Sequence, residues 1–140
     1  MQSKENDNIV FIRLFPDENI YEMLENVCKK HNIKSAVVIS GLGQLKNFKL
    51  GYFVEKNNYS PKEFIEPHEL ISLTGNIAHV NNKHEFHLHA ALGNKNKETV
   101  SGHLLDAIVE ITNEIVLLKT DIKLKRQIEE NTGLKGLFLE

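Results

Sequence analysis

Residues His84 to Asp106 read HEFHLHAALGNKNKETVSGHLLD, and a β-hairpin is the structure that this pattern suits best. Phe86, Leu88, Ala90 and Leu92 alternate with His87, His89 and Ala91, the period of two of a strand with one buried face. Asn94 to Glu98 forms a polar, turn-rich break, and Thr99 to Leu105 resumes an extended apolar run. Centring the hairpin on Asn96 sets the register: Gly93 faces Thr99, His89 faces His103, and His87 lies diagonally from His103. All three imidazoles then share one face, because side chains alternate along each strand.

Directly opposed Cβ atoms in a sheet lie roughly 4.5–5.5 Å apart and diagonal ones roughly 7–8 Å. Imidazoles at those separations can converge on one ion with metal–nitrogen bonds of about 2.0–2.1 Å. A strand histidine is ordinarily a hydrogen-bonded surface or core residue. The third histidine on the cross-strand partner makes His87, His89 and His103 a candidate metal site. A slip of one residue would send His103 to the other face and destroy it. Three neutral nitrogens favour Zn²⁺ over Ni²⁺, Co²⁺ or Fe²⁺, and leave a fourth position for water, another side chain or a ligand. His84 falls on the opposite face by parity and reads as a solvated strand-entry residue.

The 140 residues suit a single domain, 1–140, large enough to bury a real core. A formal net charge of −2 gives no basic surplus to drive phosphate binding, and so argues against nucleic acid at the whole-chain level. Cys28 stands alone, which excludes a disulfide framework and reads as a small buried residue on a helix. No apolar run approaches the ~18 residues of a membrane span and MQSKENDN holds no signal-peptide core, so a cytoplasmic location is expected.

In chain order, Met1 to Asn8 is polar and expected to be disordered, and Ile9 to Phe15 is a strand carrying one charge, Arg13. A helix follows, capped by Asn19 or Asp17, with Ile20, Met23, Leu24 and Val27 forming one apolar stripe and Asn32 a plausible end. Ser35 to Ser40 is a strand fit for burial on both faces. Gly41 and Gly43 after it read as a tight turn, or alternatively as an anion-cradling loop. Phe48 to Val54 is a strand in which Gly51 marks a bulge or close approach. Asn57 to Ile65 is a turn and a short extended piece, and His68 to Ala78 is a mostly buried strand carrying Glu69. Glu69 is a candidate partner for Arg13, a group orienting an imidazole, or a solvated strand end. After the hairpin, the β-branched Ala107 to Lys119 favours strand, bent near Asn113. Lys123, Lys125 and Arg126 form a basic cluster, read as a solvated edge strand or turn ahead of a phosphate patch. Leu134 to Leu139 is apolar enough to dock on the body or on another subunit.

These elements add up to an α+β fold, a mixed or antiparallel sheet of about six to seven strands with one main helix. One helix covers one face of such a sheet, so self-association is expected to cover the other.

The chain resembles the PPC domain family (plants and prokaryotes conserved) in GLGQL at Gly41–Leu45, HELISLTGNI at His68–Ile77, HLHAALG at His87–Gly93 and SGHLLDA at Ser101–Ala107. An Arg-bearing strand ahead of the helix, at Arg13, also matches, and Ser101 stands where many relatives have a second glycine. The resemblance implies an α+β homotrimer in which His87, His89 and His103 hold a metal, usually zinc, with a DNA-binding or transcription-associated role. The Arg-Gly-Arg-Pro core of the plant AT-hooks is absent from this sequence. Two other readings fit the same residues. One is a zinc-dependent hydrolase or lyase acting on a small molecule, with Glu69 or Asp106 as general base, although no HExxH signature is completed. The other is a scaffold in which the metal only locks the hairpin and the trimer.

Overall fold

The computed structural model describes residues Met1–Leu139. It consists of β1 (Gln2–Asn6), β2 (Ile9–Leu14), α1 (Ile20–Lys30), β3 (Ser35–Glu55), β4 (Asn58–Phe64), β5 (His68–Val80), β6 (Lys83–Gly93), β7 (Thr99–Thr120), β8 (Leu124–Ile128) and β9 (Lys135–Leu139). Seven strands form one antiparallel sheet in the order β1-β2-β7-β6-β5-β3-β4, and β8 and β9 pair as a separate ribbon. β3 also pairs with β7, from Ser35↔Thr120 to Gly51↔His103, so β7, β6, β5 and β3 close into a ring. The expected α+β architecture, a largely antiparallel sheet with one helix, is the one observed.

The core lies inside this curved sheet and under α1. Leu88, Ala90 and Leu92 of β6 and Leu104 and Val109 of β7 turn inward, against Leu73 of β5 and Leu24 of the helix. Each fully buried leucine or valine side chain among them contributes roughly 1.5–3 kcal/mol over its exposed state. α1 begins at Asn19, whose side chain accepts from the backbone N–H of Tyr21 (2.9 Å) and Glu22 (3.1 Å), so Asn19 and not Asp17 is the cap. Its buried stripe is Ile20, Leu24, Val27 and Cys28. The helix ends at His31, just before Asn32 takes up a left-handed φ of +48°.

Four expectations need correction. Ser35–Ser40, expected to suit burial on both faces, leaves Val37 (44%) and Ile39 (50%) exposed. Residues 1–8, expected to be disordered, include the edge strand β1, paired from Gln2↔Arg13 to Asn6↔Ile9. Backbone bonds hold that strand without apolar side chains, and Glu5 ties it down through His31 Nδ1 at 2.9 Å. Gly41 to Gly43 is neither turn nor anion loop but the middle of β3. A Cβ on Gly41 would meet Leu73 Cβ at 2.6 Å, and one on Gly43 would meet the Thr112 carbonyl oxygen at 2.0 Å, so packing against the neighbouring strands accounts for both glycines. His84 is half-buried and held rather than solvated, with Nδ1 on Glu25 Oε2 and Nε2 on the Ile33 carbonyl, both at 2.9 Å.

The sheet face opposite the helix is apolar over adjacent strands. Phe11 pairs with Val116 and Val37 with Leu118, and Phe11 (64%) and Ile39 (50%) are both exposed there.

Candidate metal centre

The β6–β7 hairpin turns through Asn94–Glu98. Asn94 holds that turn: its Oδ1 accepts from the backbone N–H of Asn96 (2.9 Å) and Glu98 (3.0 Å), and its Nδ2 donates to Glu98 Oε2 (2.7 Å). The register is the one read from the sequence, with Gly93↔Thr99 and His89↔His103. Leu88, Ala90 and Leu104 anchor the two strands in the core, which aims His87, His89 and His103 outward together.

One ring nitrogen from each of the three histidines lies within 4.8 Å of the others. His87 Nε2 and His89 Nε2 are 3.2 Å apart, and the ring centroids are separated by 5.1–5.4 Å. Nitrogens bound tetrahedrally at about 2.0–2.1 Å would sit about 3.3–3.4 Å apart, so one pair already has the required spacing and the third ring needs a small rotamer change. The donor set fits a divalent transition ion. Such an ion supplies Lewis acidity and, with three protein ligands, an open position.

Burial keeps two of these imidazoles neutral, the form a metal requires. His103 is pushed down to about 4 by desolvation, then by the neighbouring His87 and His89 and by Arg126. His87 is lowered by desolvation, then by Arg126 and His89. Above its ordinary value of 6.5, His103 is neutral whether the chain is folded or not. Between 6.5 and about 4 the unfolded chain takes up a proton that the folded one refuses, so stability falls as pH drops through that window and levels off below it. Metal-free protein is therefore expected to unfold at lower urea concentration at about pH 4.5 than at about pH 7, and His103→Gln to show a smaller loss. An equal loss in both proteins would place the responsible proton elsewhere.

The other singled-out residues lie away from the triad. Glu69 accepts from Gln44 Nε2 at 2.8 Å. Asp106 accepts from Asn19 Nδ2 at 2.7 Å and so braces the helix cap. The Arg13 guanidinium lies over the Phe15 ring, 5.1 Å from its centroid. Neither Glu69 nor Asp106 is hydrogen-bonded to a triad nitrogen, and Gly41 and Gly43 are interior strand residues.

Sequence reasoning missed Arg126 and Asn76. The histidines line a cavity of about 960 Å³, together with Tyr59, Phe86 and Arg126. Arg126 reaches it from β8, and its Nη2 donates to Asn76 Oδ1 on β5, directly opposite His87 in the sheet register. Desolvation lowers the guanidinium's affinity for its proton, with Glu85 opposing that shift. The one signal in the sequence was the basic cluster at Lys123–Arg126, and it carried no hint that the ribbon turns one of its cations inward.

A family model described as the Plants and Prokaryotes Conserved (PCC) domain matches residues 1–121. Among solved structures, a "putative DNA-binding protein" of Bacteroides thetaiotaomicron superposes with a TM-score of 0.91 at 28% identity, over 98% of this chain and 96% of that one. A plant- and prokaryote-conserved (PPC) protein of Pyrococcus horikoshii gives a TM-score of 0.81 at 28% identity, over 96% of this chain and 93% of that one. A protein of Archaeoglobus fulgidus described as metal-containing gives a TM-score of 0.84 at 28% identity, over 96% and 95%. The bifunctional protein GlmU of a Synechococcus species is 24% identical over 131 residues, 92% of this chain but 20% of that protein, so the chain spans about a fifth of that relative's length. No helix among the described residues is long and apolar enough to cross a membrane.

Proposed function

The chain belongs to the Plants and Prokaryotes Conserved domain family, and from that starting point we propose that it is a metal-binding homotrimer with a DNA-associated role. His87, His89 and His103 hold one divalent transition ion, zinc by preference for a three-nitrogen set. The observation that carries this reading is the convergence of three imidazoles from two paired strands, each with a ring nitrogen within 4.8 Å of the others. The metal-containing Archaeoglobus neighbour supports it.

The apolar outer face of β2, β7 and β3, where Phe11, Val37, Ile39 and Leu42 are left in water by a lone chain, supports self-association. DNA enters through the Bacteroides neighbour's name. With a net charge of −2, binding would depend on local concentration of Lys123, just ahead of β8, and Lys125 on it, both exposed, by assembly around a three-fold axis.

Metal analysis of untagged protein tests the central claim. About one zinc per chain is expected in the wild type and none in His89→Ala. Sedimentation should give the mass of a trimer, and retention on duplex DNA should fall steeply with salt. A wild type that takes up no zinc when titrated overturns the metal assignment. Retention that is absent, or indifferent to salt, overturns DNA as the partner.

A further inference from the structure

The cavity over the three histidines has an unbalanced charge. An ion bound there brings two positive charges and its ligands bring none, since imidazole coordinates in its neutral form. Arg126 adds a third positive charge to the same cavity, reaching it from β8 and held by Asn76. Glu85 is the one carboxylate lining the cavity among the described residues, and its Oε1 is engaged by Lys135 Nζ at 2.7 Å. Arg126 has no ion-pair partner among the described residues, and its contact with Asn76 occupies one of five donors. A charged metal beside a partly buried guanidinium, whose one carboxylate neighbour in the cavity, Glu85, is already tied to Lys135, favours an anion between them.

The cavity also limits what that anion is. Its volume of about 960 Å³ far exceeds the needs of water or an inorganic ion, and Phe53, Phe86 and Leu105 give it apolar walls. Tyr59 and His103 meet with their rings near perpendicular, centroids 6.2 Å apart. Arg126 shares this cavity with the histidines and acts electrostatically on His87 and His103, and it lies beyond the family-matched residues 1–121. Arginine's planar fork suits a carboxylate or phosphate, which can give one oxygen to the fork and another to a metal.

Resting on the metal reading above, we propose that this cavity binds a small organic oxyanion, a carboxylate or phosphate ester, that bridges the metal's open position and the Arg126 guanidinium. Arg126 is the specificity-determining residue, and the apolar walls receive the organic part.

Cobalt-loaded protein tests this without an activity assay, because the visible spectrum of Co²⁺ reports a ligand entering its coordination shell. Inorganic phosphate, phenyl phosphate and benzoate are titrated into wild type and Arg126→Gln, with cobalt content and thermal melting measured on each. A saturable spectral change in the wild type is expected, with an organic probe half-saturating at about tenfold lower concentration than inorganic phosphate. Whether phenyl phosphate or benzoate is the tighter identifies the head group. Arg126→Gln should keep its cobalt and its melting temperature but need about tenfold more of the same anion, the effect of losing one charge-assisted hydrogen-bonding group. Titration of Arg126→Gln at wild-type concentrations, or a wild-type spectrum unmoved by any probe, overturns the proposal and leaves the metal reading standing. Wild type that takes up no cobalt fails before any anion is added, and that failure belongs to the metal reading, which takes the bridged oxyanion with it. Equal affinity for inorganic phosphate and both organic probes would overturn the organic part of the assignment.

Discussion

Gly75→Ala is expected to cost about 3 kcal/mol or more of unfolding free energy and, in protein that still folds, to lose the metal. Gly75 sits within β5 at φ +151°, and an added Cβ would lie 1.9 Å from the His87 carbonyl oxygen and 3.0 Å from Leu88 Cα. Both are backbone atoms, so no side-chain rotation relieves the clash. β6 has to move away from β5, carrying His87 with it, while His103 stays on β7. Urea unfolding reads the first effect, and zinc content measured well below the melting temperature reads the second. Wild-type stability together with wild-type metal content would mean that the β5–β6 spacing is slack, and the close approach at Gly75 would then have no consequence.

Gly43→Ala should lose a similar amount, about 3 kcal/mol, and lower the melting temperature by roughly 10 °C, while keeping its metal. Here the added Cβ meets the Thr112 carbonyl oxygen at 2.0 Å and Asn113 Nδ2 at 2.2 Å, with φ at +146°. Gly43 pairs with Leu70 and Asn113, whereas the triad sits at the β6–β7 pair His89↔His103. Strain at Gly43 therefore weakens the ring without reaching the histidines. An anion-binding loop would behave in the opposite way, tolerating alanine in the fold and losing only the ligand. Calorimetry and metal analysis on the same preparation distinguish the two outcomes.

What could be read from the sequence was what local rules decide. The His89↔His103 pairing was legible because a short polar loop and strict alternation leave one register that buries Leu88, Ala90 and Leu92. Asn19 as a cap and the Ile20–Val27 stripe were legible for the same reason, as both depend on residues within two turns of helix. Gly41 and Gly43 were misread because a glycine pair after an apolar run is an ordinary turn signal, whereas here Leu73 and Thr112 from distant strands decide the matter. β1 escaped notice because an edge strand can be held by backbone hydrogen bonds that leave no apolar signature. Arg126 escaped because its position depends on a ribbon crossing to Asn76, a contact 50 residues away in the chain.

The three-histidine cluster lies within a single hairpin, and this has a consequence for the order in which the molecule folds. An ion on His87, His89 and His103 would fasten neighbouring strands across a short loop, where closure costs little entropy. Closing the ring requires β3 to find β7, with partners as far apart as Ser35 and Thr120. Contacts of that separation form slowly, and local hairpins form within microseconds. A nascent chain could therefore capture its metal before the ring exists. The ion would then protect β6 and β7 amides in hydrogen exchange against local opening, while the β3–β7 amides would report the unfolding of the whole.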